Sequence, residues 1–150
     1  MALFLYCSDS YVRVHGLPRC LDDLRDHVFI AYIDDLLAID AVRWLDDLIK
    51  SPKVSFYSNS ILAQCNAATA GVGIAMLPTF VAADVPGLMR VIPEEGVVRR
   101  EIWISVRKEQ GALTRIRSVT KFLTHIFETD RQFLLGGTEV ARRDAAKRPG

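Results

Sequence analysis

The sequence predicts an α/β fold: a sheet with helices packed on its faces. Three observations carry this expectation. Short apolar or β-branched runs recur along most of the chain, runs with helical spacing alternate with them, and Ser, Asn, Pro and Gly punctuate the junctions. Strands that alternate with helices bury their apolar surface best as a sheet covered by helices.

The elements follow in chain order. Leu3 to Cys7 is an apolar run that reads as an edge-like strand beginning abruptly, as though sequence preceded it. Ser8-Asp9-Ser10 supplies cap side chains for a short helix over residues 11–15, and Gly16 ends it. Residues 21–27 read as a connector with one helical turn. Residues 28–33, VFIAYI, are β-branched and aromatic and predict a buried strand. Asp34 and Asp35 then precede a stripe of Leu37, Ala41, Trp44, Leu45 and Leu48, a helix closed by Ser51-Pro52.

Residues 54–57 form a short strand, and Ser58-Asn59-Ser60 caps a helix from Ile61 to about Ala70, stopped by Gly71. A strand over 74–77 leads through Pro78-Thr79 into a brief helix ending at Ala83. Residues 88–92 read as a strand between Pro86-Gly87 and Pro93, and Glu95-Gly96 as a turn. Residues 102–106, IWISV, predict another strand. Leu113, Ile116, Val119, Leu123 and Ile126, with Phe122 and Phe127 beside them, mark the clearest amphipathic helix. Glycines and charges over residues 136–150 read as a disordered tail.

Composition narrows the function classes. The 150 residues suit one domain or a piece of one, with 50% hydrophobic and 25% charged residues, as in a soluble globular protein. The formal net charge is +1, which gives no electrostatic case for contact with DNA by this chain, since phosphate binding needs a concentrated basic face. Arg142, Arg143, Lys147 and Arg148 read as a solvated tail. Three cysteines without a CxxC pair, and histidines only at 15, 27 and 125, argue against disulfides and a metal site and fit reduced thiols in a cytoplasm. No signal peptide and no apolar stretch of membrane-spanning length is present.

Residues 54–78 are the most informative segment. A strand runs into three small polar residues, a helix starts, and a second strand ends in Leu-Pro. Free N–H groups and the positive dipole end at a helix start favour an anion such as a ligand carboxylate. Ser58, Asn59 and Ser60 add donors there, although capping alone accounts for the same residues. Gly71-Val72-Gly73 lies after a helix and before a strand, the reverse of a phosphate loop, so it serves as a stop and a tight turn. Asp34-Asp35 reads as a helix cap and Cys65 as a buried structural thiol. No nucleophile–base pair and no cofactor loop is found, so neither an enzyme nor a cofactor is expected.

These segments, taken in order, resemble the effector-binding domain of the LysR-type transcriptional regulators. The matching pieces are LYCSDSYVRVHGLPRCLDDLRDH, FIAYIDDLL, ILAQCNAATAGVGIAMLPTFVA, GLMRVIPE, REIWISV and RIRSVTKFLTHIF, covering residues 3 to about 128. The resemblance implies a fold like that of the periplasmic binding proteins, two α/β lobes with an effector in the cleft between them. It implies that residues 28–93 are the second lobe, nearly complete, and that residues 3–27 and 100–128 are the remainder of a partial first lobe. The helix-turn-helix domain, the linker helix and the opening of the first lobe would then lie outside this chain, as in a truncated regulator. In such relatives the turn at Ser58, Asn59 and Ser60 faces the cleft, with Tyr32, Pro78 and Thr79 as secondary contacts. The implied partners are a small-molecule effector and a second copy of the chain, as homodimer or higher oligomer, with no membrane. A free-standing cytoplasmic solute-binding domain is the alternative.

Overall fold

The structure is a computed structural model, and it describes residues 1–33, 49, 51–95 and 97–137. The expected helix over 37–48, its Asp34-Asp35 cap and most of the expected tail lie outside the described residues. Contacts divide the chain into two compact units, Leu3–Val98 and Met1–Ala2 with Arg99–Gly150.

The first unit is built on a sheet ordered β3-β2-β4-β1-β5, with β6 pairing β1. The strands are β1 (Ala2–Ser8), β2 (Val28–Ala31), β3 (Lys53–Tyr57), β4 (Ile74–Pro78), β5 (Leu88–Val91) and β6 (Val97–Arg99). β2 runs parallel to both β3 and β4, whereas β1 is antiparallel to β4 and β5. Side chains alternate across the sheet. Leu5, Cys7, Phe29, Ile74, Met76 and Val91 enter one buried cluster with Tyr11 and Leu24. Their neighbours Phe4, Tyr6, Ile30, Ala75 and Leu77 are buried too, on the other face of the pleat.

Helix α1 (Asp9–His15) begins at Ser8, whose hydroxyl accepts from Tyr11 N–H, and ends at Gly16 with φ of 81°. A 3₁₀ turn, Asp22–Asp26, sends Leu24 into the core. Helix α2 (Ile61–Thr69) packs on β2 and β4 and buries Gln64, Cys65 and Ala68. Helix α3 (Thr79–Ala82) follows β4 directly.

Two expectations differ from what is found. Leu3 to Cys7 reads by sequence as an edge-like strand, but β1 sits inside the sheet between β4 and β5. The run LFLYC is apolar on both sides of its pleat, which suits a strand covered on both faces rather than an edge. Residues 102–106 are not a strand. Strand propensity has no effect without a partner ladder, and none of the described strands pairs with this segment.

In the second unit, Met1 and Arg100 exchange two hydrogen bonds, from the Met1 ammonium to the Arg100 carbonyl at 2.6 Å and from Arg100 N–H to the Met1 carbonyl at 2.8 Å. Helix α4 (Thr114–Thr129) carries no buried residue, and the short α5 (Arg131–Leu134) buries only Phe133.

Candidate functional site

Because β2, β3 and β4 are parallel, their C-terminal ends share one edge of the sheet. Ala31 pairs with Tyr57 and Ile30 with Ala75, so Tyr32, Ser58 and the Leu77-Pro78 step emerge at that edge. Helices α2 and α3 both begin there. Ligands of open α/β sheets bind at such an edge, where strand ends meet helix N-termini.

The turn between β3 and α2 is tied down by its own side chains. Ser58 N–H donates to the Ala31 carbonyl at 3.0 Å, and its hydroxyl accepts from Ser60 N–H at 3.1 Å. Asn59 Oδ1 accepts from Ile33 N–H at 2.9 Å, fixing the β2 exit to the turn. Ser60 Oγ accepts from Ala63 N–H at 3.4 Å, the N-cap bond. Among the described residues the N–H groups of Ile61 and Leu62 donate to nothing, and they carry the positive end of the α2 dipole. Ser58 is half-buried, and Asn59 and Ser60 are exposed.

The secondary residues stand apart in character. Tyr32 is half-buried, and burial pushes its phenol pKa up, so it remains a neutral hydroxyl. Pro78 is buried and forms the N-cap of α3, and Thr79 behind it is 1% exposed, which makes both of them walls more than open donors. Exposed Ile33, Tyr57, Leu62 and Phe80 lie on the segments that leave the same strand ends, giving the edge an apolar rim.

Two features are missing from the sequence reading. Gln64 is fully buried beneath the turn; its Nε2 donates to the Ser58 carbonyl at 2.6 Å, and its Oε1 finds no partner among the described residues. The one signal was a Gln four residues after the Ser60 cap, which alone gives no burial. The second is a polar pair in the core. Tyr11 hydroxyl lies 3.0 Å from His27 Nδ1 and accepts from Val28 N–H at 3.0 Å, while its ring stacks on His15 at 4.5 Å. Either group can supply the proton of the Tyr11–His27 bond, according to the histidine tautomer, and burial lowers the His27 pKa and so favours its neutral ring.

Thiol chemistry at Cys7 and Cys65 is disfavoured. Burial, helped by the charge of Asp9, pushes the Cys7 thiol up to about 11, and burial raises Cys65 as well. Thiolates are the reactive form, and neither group forms one near neutrality. Among the described residues no cluster of three His, Cys, Asp or Glu side chains is placed to hold a metal.

Parallel strand ends that meet helix N-termini are the form shared by ligand-binding α/β domains. Residues 2–128 match the LysR substrate binding domain, and the chain belongs to that family. Over 105 residues it is 31% identical to an uncharacterized HTH-type transcriptional regulator of Haemophilus influenzae, covering 65% of this chain and 35% of that protein. Its fold is similar to the regulatory domain of CrgA, a LysR-type transcriptional regulator from Neisseria meningitidis. That match has a TM-score of 0.58 at 16% identity and covers 83% of this chain and 65% of the other. The bromide-bound regulatory domain of HypT from Salmonella typhimurium matches with a TM-score of 0.54 at 21% identity, over 83% of this chain and 61% of that one. The fold is thus that of the LysR regulatory domains, which are like the periplasmic binding proteins. The chain spans about a third of the curated relative and under two thirds of either regulatory domain.

Proposed function

We propose that this chain is the effector-sensing, non-enzymatic segment of a LysR-type transcriptional regulator, acting in the cytoplasm as a homodimer or higher oligomer. Operator sequence is read by another part of the regulator. The ligand is a small molecule with a carboxylate or similar polar group, held at Ser58, Asn59 and Ser60, with Tyr32, Pro78 and Thr79 completing the wall. The observation that carries this is the pair of unsatisfied N–H groups, Ile61 and Leu62, at the start of α2 beside exposed apolar side chains. Polar groups at such a site orient a ligand while apolar surface supplies area. Ligand that prefers one arrangement of the regulator shifts its population and changes how the DNA-reading parts meet an operator.

Amide NMR tests the site. Titration with acetate, succinate and benzoate should move the Ile61 and Leu62 amides, and the matching uncharged amides should not. Ser60→Ala should weaken the response and cost roughly 1 kcal/mol of stability through the lost cap. Carboxylate-induced shifts confined to residues far from 58–62 would remove the site from the reading. A gel-shift experiment should find negligible DNA affinity at physiological salt.

A further inference from the structure

Gln64 is 0% exposed and stands four residues after the Ser60 cap, its backbone N–H donating to the Ser60 carbonyl at 3.0 Å. Its side chain reaches back to the turn before α2, where Nε2 donates to the Ser58 carbonyl at 2.6 Å. The other end of the amide, Oε1, is buried and finds no partner among the described residues. One neutral hydrogen bond returns no more than an unmet buried acceptor costs, so stability does not account for an amide here. An apolar side chain of the same length would fill the space and leave no acceptor of its own unmet.

The amide instead sets the direction of one peptide. Gln64 draws the Ser58 carbonyl inward, and in a trans peptide such as this one the N–H points opposite to the C=O. The Asn59 N–H is therefore turned away from the buried amide. Two further bonds hold the turn in place: Ser58 N–H donates to the Ala31 carbonyl, and Asn59 Oδ1 accepts from Ile33 N–H. Among the described residues the Asn59 N–H donates to nothing, as is true of Ile61 and Leu62. The Ser60 N–H differs, since Ser58 Oγ already accepts from it at 3.1 Å.

We propose that Gln64 is the positioning residue of the anion-binding turn: it holds the Ser58 carbonyl inward and so presents the Asn59 N–H together with those of Ile61 and Leu62. Three preset donors suit a carboxylate, whose two oxygens each accept more than one hydrogen bond. A turn free to rotate this peptide would offer a carbonyl oxygen to the same ligand and repel it. Gln64 touches no ligand and acts through Ser58. The inference rests on the carboxylate reading of this turn, and its first test needs no ligand.

In the unmodified chain, NMR should detect a scalar coupling across the hydrogen bond from Gln64 Nε2 to the Ser58 carbonyl carbon. The Asn59 amide should exchange as fast as a solvent-facing one. Gln64→Met keeps the length and most of the volume of the side chain. Its melting midpoint should stay within about 4 °C of the original, because the orphan acceptor leaves together with the bond. Its dissociation constant for benzoate should rise about tenfold, with the largest loss of amide response at Asn59. Benzamide should move none of the three amides in either chain. An absent coupling, or strong protection of the Asn59 amide, overturns the proposal in the unmodified chain alone. Benzoate affinity unchanged in Gln64→Met overturns the role of Gln64 and leaves the turn as a site. A collapse of the melting midpoint makes the residue structural and overturns it too. A coupling without any benzoate response at the three amides overturns the carboxylate reading, and with it the task assigned to Gln64.

Discussion

Tyr11 and His27 join α1 to the start of β2 through one buried hydroxyl. Tyr11→Phe keeps the ring and its packing but leaves a ring nitrogen and the Val28 N–H without their partner. An unsatisfied buried polar group costs about 1–3 kcal/mol, against well under 1 kcal/mol for the lost oxygen's packing, so the loss should fall in the upper range. Urea denaturation measures it, and an unchanged midpoint would show that Val28 N–H finds water instead. His27 adds a pH dependence. Burial, followed by the nearby His15 charge, lowers its pKa, partly opposed by Asp23 and Asp26. The folded chain therefore binds fewer protons here than the unfolded chain. Its contribution is fully present above the unfolded histidine value of about 6.5 and is lost as pH falls through the lower folded value. His27→Asn should flatten the stability profile just below neutrality; an unaltered slope would assign it to other groups.

At the scale of elements, the tightest constraint is the seating of β4 against β2. A Cβ on Gly73 would meet the Val28 carbonyl oxygen at 2.8 Å and the Phe29 carbonyl carbon at 3.3 Å, and strand backbone cannot yield as a side-chain tip can. Gly73→Ala should therefore destabilise by about 1–3 kcal/mol, the cost of overpacking, and it should separate β2 from β4 first. Thermal melts together with amide shifts of Phe29 and Ile74 test this, and a neutral substitution would contradict the close approach. Gly71 turns the chain just before, at φ of 81° and packed on Ser10, in keeping with its role as helix stop. Such punctuation was legible in the sequence, as were β2, β4 and α2, because local chemistry fixes them. Ser60 caps α2 for reasons contained within four residues. The centrality of β1, the pairing of β6 and the unpaired course of residues 102–106 depend on partners distant in sequence, and local propensity does not encode those. At the candidate site the same division holds. Ser58, Asn59 and Ser60 announce a helix start, but Gln64 becomes notable only once α2 covers the strand ends.

Across the whole molecule, burial is unevenly shared. Among the described residues 20 hydrophobic side chains are buried; 19 of them lie at or before Ile92, and Phe133 lies beyond. Charge is divided as well: residues 3–98 hold 7 basic and 12 acidic side chains, and the remainder 12 and 6, so the net +1 conceals two opposite balances. Apolar burial is the main resistance to local opening, and a lone 16-residue helix is marginal in water. Hydrogen exchange at low protein concentration should therefore give the slowest amides in β1, β2 and β4, with fast exchange over residues 101–113 and through α4. Brief trypsin treatment should cut at Arg100, Arg107, Lys108 and Arg115 before it cuts at Arg90 in β5. Protection in α4 equal to that in β4 at high dilution would contradict this division.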